Sequence, residues 1–496
     1  MQPLFYWRLS MNKKQTYQTI VLLLLVITLM ACKQNTSNPE AMNQTAEVAT
    51  MPPLTDEFLE TAILYEANIR QYSPEGSFDS FTADIPKLKA LGVDVIWLMP
   101  VYPISSTKRK AYGNVMADDI EDPKEREKYL GSYYAISDYT AINPEFGTLE
   151  DFRRLVKTAH DNGIYVILDW VANHTGWDHH WIKEHPDYYT KNEAGEVSEP
   201  LKDDGRTPEG WTDVADLNFD NPELTPAMIA EMKYWITEED IDGFRCDVAG
   251  FVPTEFWRKA IPELRAEKKI FMLAEADNPE LLEDGLFDMA YGWANHHLMN
   301  DIAKGEQPAA QWWAHYNGQM EKWAPGDYVM NFVENHDENS WNGTFLGRTG
   351  ANWESCLVLS YALPGMPLIY SGLEYDLNHS LKFFEKDSIP KTKGKIWPVL
   401  EKLAAVKKEV PALHGAVNAA NYEWIHTFHD PDLLAFRRFK DNSEILYLAN
   451  FSSEVKNLPV KAMGTFSFFK SGEKVQIDGE KNFEIAPNSY LLLVKN

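Results

Sequence analysis

Four acidic residues stand at or just past the ends of expected strands, and three of them follow apolar runs. Asp169 follows Val166-Ile167-Leu168, and Glu275 follows the run from Ile270 to Ala274. Asp337 ends the group Glu334-Asn335-His336-Asp337, which follows Met330-Asn331-Phe332-Val333, and Asp247 closes Gly243-Phe244-Arg245-Cys246-Asp247. A charge at the end of a buried strand raises the free energy unless it is paired or used. One such acid could be structural, but four of them, with Arg245, His174 and His336, call for a common chemistry. Acetal cleavage supplies one: a carboxylic acid protonates the leaving oxygen while a carboxylate attacks or stabilises the opposite face of the sugar. Arg245 lies two residues before Asp247, so on a strand both point to one side, and the guanidinium is expected to hold Asp247 ionised. Glu275 follows Leu273-Ala274, drier surroundings that would raise its pKa and let it keep a proton.

The elements that must position these groups alternate in type. Strands are expected at 62–68, 93–99, 164–169, 241–247, 269–275, 286–291, 328–334 and 367–371. Helices are expected at 79–91, 149–162, 222–236 and 254–267. Alternation implies a parallel sheet, and eight strands imply a closed (β/α)8 TIM barrel, whose strand C-termini form the active face. An open doubly wound sheet is the alternative; no Gly-rich dinucleotide fingerprint follows the first strand, which counts against it. Two long excursions interrupt the pattern, 100–148 after strand two and an inserted small domain at about 174–222 after strand three. Loops of that length are usually functional. Beyond 411 the helices stop, and strands at 421–428, 433–439, 444–451, 464–469 and 490–494 predict a C-terminal antiparallel β-sandwich. The fold class is therefore α/β, with a catalytic barrel over 57–410 and an all-β domain over 411–496.

Ahead of the barrel, Lys13 and Lys14 precede an apolar run from Ile20 to Met30 that is too short to span a bilayer as a helix. The run ends in Leu29-Met30-Ala31-Cys32, similar to a bacterial lipoprotein signal in which the cysteine is lipidated. Residues 1–32 are accordingly expected to be a signal peptide and 33–56 a flexible polar tether. Cys32 would be the lipid attachment point of an exported, membrane-anchored protein of the cell envelope; an ordinary cleaved signal is the alternative. With Cys32 so used, only Cys246 and Cys356 remain, and the fold must rest on core burial rather than disulfides. The 496 residues carry a formal net charge of −27, which repels nucleic acid and anionic lipid and suits a neutral substrate.

Taken in order, the motifs resemble the α-amylase superfamily, glycoside hydrolase family 13, over nearly the whole expected globular region. Asp169-Trp170-Val171-Ala172-Asn173-His174 is similar to the first family motif, Gly243 to Asp247 to the second, Glu275 with its strand to the third, and Phe332 to Asp337 to the fourth. Ala215-Asp216-Leu217-Asn218 resembles the motif near the end of the inserted domain, and Gly365 to Glu374 the eighth-strand motif. The resemblance implies a retaining double displacement. Asp247 would form the glycosyl-enzyme, Glu275 would act as acid and then base, and Asp337 would bind sugar hydroxyls. It further implies that His174 and His336 bond the sugar at the cleavage subsite, that Arg245 and Asp169 support Asp247, and that Tyr134 stacks on that sugar.

One departure stands out. Family amylases often carry Lys-His three and four residues after the nucleophile, a pair tied to substrate binding and to calcium; Gly250 and Phe251 stand here. No cofactor is required for the chemistry. Asn173 and Asp216 are the candidate calcium ligands, and the chain is expected to fold and work without the metal. The substrate implied is a starch-like α-1,4-glucan or malto-oligosaccharide. An α-glucosidase, a neopullulanase-type enzyme or a transglycosylase shares the same triad, and a non-catalytic sugar-binding or transporter-partner barrel would have lost one of the acids. Cys246 is read as core, His179-His180 as loop residues rather than metal ligands, and Trp312-Trp313 as either helix packing or a sugar contact.

Overall fold

The computed structural model describes residues 51–202 and 207–495. The expected signal peptide, Cys32 and most of the tether lie outside the described residues. Eight parallel strands close a barrel in sequence order: β1 (Leu64–Ala67), β2 (Val95–Leu98), β3 (Tyr165–Trp170), β4 (Gly243–Cys246), β5 (Phe271–Ala274), β6 (Met289–Tyr291), β7 (Val329–Asn331) and β8 (Met366–Tyr370). Every barrel strand is buried along its length, as expected where helices cover the outside and side chains fill the inside. The strict alternation of a strand then sorts the residues. Tyr65, Phe244 and Cys246 join the outer core with the helices. Leu64, Trp97, Ile167, Phe271, Leu273 and Met330 fill the barrel interior. Glu66, Asp169 and Arg245 share the parity of these inward residues, so the upper interior of the barrel is charged.

Three expectations about boundaries are corrected. The tether does not run to residue 56. Leu54 is buried with Leu59 in the core cluster that fills the barrel, Tyr165 Oη donates to Pro52 O at 2.9 Å, and a helix already starts at Asp56 with Thr55 as its cap. The helix expected over 79–91 is two helices, Phe78–Thr82 and Ile85–Leu91, because Pro86 fits only the first turn of a helix and Asp84 starts the second. The third concerns the C-terminal domain, which carries a strand not anticipated at Lys474–Ile485.

That domain has six strands: β9 (Asn421–Trp424), β10 (Leu433–Lys440), β11 (Ser443–Asn450), β12 (Lys456–Phe468), β13 (Lys474–Ile485) and β14 (Ser489–Lys495), in the order β9-β10-β11-β14-β12-β13. They form one antiparallel sheet that doubles back on itself. Leu433, Ala435, Leu446 and Leu448 share a core with Leu458, Val460, Ile477 and Phe483 of the β12–β13 hairpin. Buried Arg438 fastens the sheet to the barrel by donating to the carbonyls of Ala362 and Leu363 at 3.2 and 3.0 Å. Among the described residues no helix is long and apolar enough to cross a membrane.

Candidate active site

Each acid is delivered by the strand it follows. Asp169 lies within β3; Asp247 and Glu275 come directly after β4 and β5. The ladder extends one residue to hold the last two, with Asp247 N donating to Trp170 O at 2.9 Å and Glu275 N to Cys246 O at 3.0 Å. Asp337 follows β7 in the first turn of the helix His336–Trp341, which starts here because the Asn335 side chain accepts the Glu338 N–H. Tyr134 comes from the long loop after β2, and His174 opens a short strand that pairs with 214–216 across the insertion. These elements bring Tyr134, His174, Asp247, Glu275, His336 and Asp337 to one cavity of about 330 Å³ at the C-terminal face of the barrel. Asp169 and Arg245 lie beneath it, both fully buried.

Arg245 organises the floor. Its Nη1 lies 2.8 Å from Asp169 Oδ1 and 2.9 Å from Asp247 Oδ1, and its Nε donates to Tyr291 Oη at 3.1 Å. Its Nη2 lies 2.8 Å from Glu275 Oε2, an ion-pair contact without hydrogen-bond alignment. The guanidinium also sits 4.8 Å over the Trp97 ring. Asp169 in turn accepts Trp97 Nε1 at 3.1 Å and Tyr134 Oη at 3.2 Å.

This arrangement corrects the expectation that environment separates the two acids. One guanidinium touches both, and their side chains are equally dry, Asp247 at 10% exposure and Glu275 at 12%. Three carboxylates face a single cation. Burial pushes the Asp247 carboxyl well above the usual range, and pushes Asp169 up as well, with Arg245 pulling each the other way. An isolated ion pair would lower the acid; here burial and the neighbouring carboxylates outweigh the one guanidinium. Asp247 and Asp169 therefore favour holding a proton, and as a coupled pair they share it.

The two histidines differ. His174 is held neutral, its pKa pushed down to about 3 by burial. For His336 burial acts in the same direction, but Asp337 and Glu66 outweigh it and raise the imidazole to about 9. Glu66, on β1, was not anticipated from the sequence. A lone acid inside a buried four-residue strand carries no motif, and its partner lies 270 positions away. Nor were the cavity walls anticipated. Trp341 and Phe383 form one side, their rings 5.2 Å apart, and Trp211 forms another. Lys110 and Asp213, 3.7 Å apart and both nearly buried, join the loop after β2 to the insertion. In a chain with 13% aromatic residues nothing singles these out beforehand.

Gly250 and Phe251 take the places of the Lys-His pair. Phe251 is half exposed, its ring stacked 5.9 Å from Trp211 at 14°. The Asn173 carbonyl already accepts Leu217 N at 3.1 Å, and its side-chain amide contacts His174 Nδ1 at 3.2 Å. Asp216 belongs to the same ribbon, its pKa raised to about 6 by burial. Calcium asks for six to eight oxygens. Among the described residues no group of three or more His, Cys, Asp or Glu side chains converges to hold a metal. Asp178, beside the His179-His180 pair, is committed elsewhere: its Oδ2 accepts Ser106 N and Oγ, both at 2.8 Å.

The chain matches the Alpha amylase catalytic domain family over residues 57–395. It is 26% identical over 441 residues to the alpha-amylase MalA of Haloarcula japonica, covering 86% of this chain and 61% of that protein. It is also 26% identical over 436 residues to an alpha-1,4-glucan:maltose-1-phosphate maltosyltransferase of Rhodospirillum rubrum, covering 81% and 56%. The chain thus spans about three fifths of the length of these two curated relatives. The crystal structure of a noncanonic maltogenic alpha-amylase, AmyB of Thermotoga neapolitana, superposes with a TM-score of 0.76 at 26% identity, covering 88% of this chain and 99% of that one. The family match takes in every barrel strand and every member of the carboxylate cluster, and we conclude that this chain is an enzyme of the α-amylase family.

Proposed function

We propose that the protein cleaves α-1,4-glucosidic bonds of starch-like glucans or malto-oligosaccharides with retention of configuration. The observation that carries this reading is the shared guanidinium: Asp247 and Glu275, at the ends of adjacent strands, both contact Arg245 and both line one cavity. In the proposed reaction Asp247 attacks the anomeric carbon as Glu275 gives its proton to the leaving oxygen, and Glu275 then takes a proton from the incoming water. Asp337, His174 and His336 bind the sugar hydroxyls, and Tyr134 stacks on the ring. A second reading is transfer of the glycosyl group to a sugar acceptor, supported by the likeness to a maltosyltransferase. Incubation with starch, pullulan and maltotriose, with and without added maltose, followed by chromatography of the products over time, tests both. Shortened maltodextrins support hydrolysis, lengthened ones support transfer, and unchanged substrate in every case contradicts both.

We also propose export and anchoring through a lipid on Cys32, on the strength of the Leu29-Met30-Ala31-Cys32 ending. Labelling of cells with an alkyne-bearing palmitate should mark the wild-type protein and not Cys32→Ser. Unlabelled wild type would contradict the anchor.

A further inference from the structure

Glu66 sits at the upper end of β1, fully buried, opposite Trp97 on β2 and Tyr370 on β8. Its Oε1 lies 2.6 Å from His336 Nδ1, and its Oε2 is buried with no hydrogen-bond partner. A carboxylate half unsatisfied in a barrel interior is a poor packing choice; an apolar side chain there would cost less. The pair does one thing an apolar residue could not. On the far side of the ring, His336 Nε2 lies 2.8 Å from Tyr134 Oη and 3.4 Å from Asp337 Oδ2. Tyr134 Oη has its own proton directed at Asp169 Oδ2, so at this contact it must accept, and Nε2 must donate.

A neutral ring with its hydrogen on Nδ1 would leave Nε2 bare, which the Tyr134 contact does not allow. Two states remain: a neutral ring with its hydrogen on Nε2 facing a protonated Glu66, or an imidazolium with hydrogens at both ends, balanced by the Glu66 and Asp337 carboxylates. The raised pKa of the ring favours the imidazolium, whose Nε2 hydrogen is aimed into the cavity. An amide at position 66 removes one of the two carboxylates that hold the ring charged, so the ring would lose a proton at lower pH; with the amide oxygen accepting from Nδ1–H, the neutral ring would then present a bare lone pair at Nε2. In acyl-transfer triads a carboxylate at Nδ1 orients a neutral ring whose bare Nε2 acts as base; here the charge of Glu66 keeps a second hydrogen on the ring instead.

We propose that Glu66 is a positioning residue that fixes His336 as an Nε2–H donor to the substrate and to Asp337. It thereby couples β1 to the carboxylate cluster through Tyr134, Asp169 and Arg245. The role of His336 as a substrate donor rests on the glycosidase reading; the hydrogen on its Nε2 does not. The charged or titratable groups facing the ring are Glu66 from β1, Tyr134 from the loop after β2, Asp169 from β3, Arg245 from β4, and Asp337 beside it.

Two measurements test the proposal on the full chain. The first is a two-bond ¹H–¹⁵N correlation of ¹⁵N-histidine-labelled protein, with His336 assigned by its loss in His336→Gln. The wild-type Nε2 signal should stay at the protonated position from pH 5 to pH 8. In Glu66→Gln it should move to the unprotonated position once the ring is neutral. A bare wild-type Nε2 at pH 8 would overturn the proposal even if Glu66→Gln failed to fold.

The second is the ratio of Glu66→Gln to wild-type kcat/KM on maltotriose across pH, which cancels the titration of the acids common to both. Near pH 5, where the imidazolium restores Nε2–H, the ratio should lie within about threefold of one. By pH 8 the loss should be on the order of tenfold to a hundredfold. A loss of equal size at every pH would mark Glu66 as merely structural and overturn the proposal. A wild type inactive on every α-glucan would sink the glycosidase reading while leaving the tautomer measurement to decide on Glu66.

Discussion

Val248 donates its backbone N–H to Glu275 Oε2 at 2.8 Å, and does so from a left-handed backbone with φ of 37°. A β-branched residue in that region costs on the order of 1–3 kcal/mol and persists only where its surroundings over-determine it. Here Phe251 N donates to the Val248 carbonyl at 2.8 Å, and Trp257 Nε1 donates to the carbonyl of Ala249 at 3.1 Å, so the turn after Asp247 is pinned. The strain gives Glu275 two unlike oxygens. Oε2 accepts the amide and faces Arg245; among the described residues no protein group donates to Oε1, the oxygen to which the proposed reaction gives the acid role.

Glu275→Gln should therefore fold normally, since an amide oxygen still accepts Val248 N–H. Turnover of maltotriose should fall about 10³-fold, within the span usual for loss of an acid–base group. An aryl α-glycoside with a good leaving group needs less protonation and should lose far less in its first step. Steady-state and burst kinetics on both substrates decide it; equal losses would count against the acid role.

Asp247→Asn should abolish nearly all turnover, because an amide does not attack as a carboxylate does. The same change should stabilise the fold. Burial raises the Asp247 pKa above its unfolded value, so at neutral pH the ionised group destabilises the native state. Removing that charge leaves Arg245 with two carboxylates rather than three. The melting temperature at pH 7 should rise by about 2 °C. A clear fall would mean that Asp247 is an ordinary stabilising ion-pair partner.

His336 contributes a pH-dependent term of opposite sign. Its folded pKa of about 9 lies above its unfolded value, because Asp337 and Glu66 outweigh burial. The contribution is fully present below about pH 6.5 and is lost as pH rises through 9; by linkage it amounts to up to roughly 3 kcal/mol. The gap in melting temperature between wild type and His336→Gln should accordingly narrow between pH 7 and pH 9.5. A gap that stays constant over this range would contradict a charged His336.

Dialysis against a chelator should leave activity and melting temperature essentially unchanged. Phe251, stacked on Trp211, stands where the family resemblance would place the histidine of the pair tied to calcium, and among the described residues no three His, Cys, Asp or Glu side chains converge on a metal. A large drop in melting temperature, reversed by micromolar calcium, would overturn this.

Asp169, Glu275 and Asp337 were legible in the sequence because each follows an apolar run that became a barrel strand or the link after one, and Asp247 because it closes the segment from Gly243. Arg245 was legible because a spacing of two on a strand means one face. Its contact with Glu275 was not, since Glu275 lies on the neighbouring strand and register is invisible in a single sequence. Glu66 was hidden for the same reason, its partner being fixed only by closure of the barrel. The turn at Val248 was hidden because a β-branched residue argues against a positive φ. The polar Lys474–Ile485 strand escaped notice because only Ile477, Phe483 and Ile485 of its residues are buried hydrophobics, too sparse a pattern to read.

The anomeric configuration of the first product tests the central claim most directly. If Asp247 attacks and Glu275 protonates, their carboxyl groups should work about 5–5.5 Å apart and cleavage should proceed by two inversions. Proton NMR of a maltotriose digest, recorded before mutarotation, should show the α-anomer first, with the β-anomer growing in later. The β-anomer appearing first would contradict the nucleophilic role of Asp247 and the double displacement built on it.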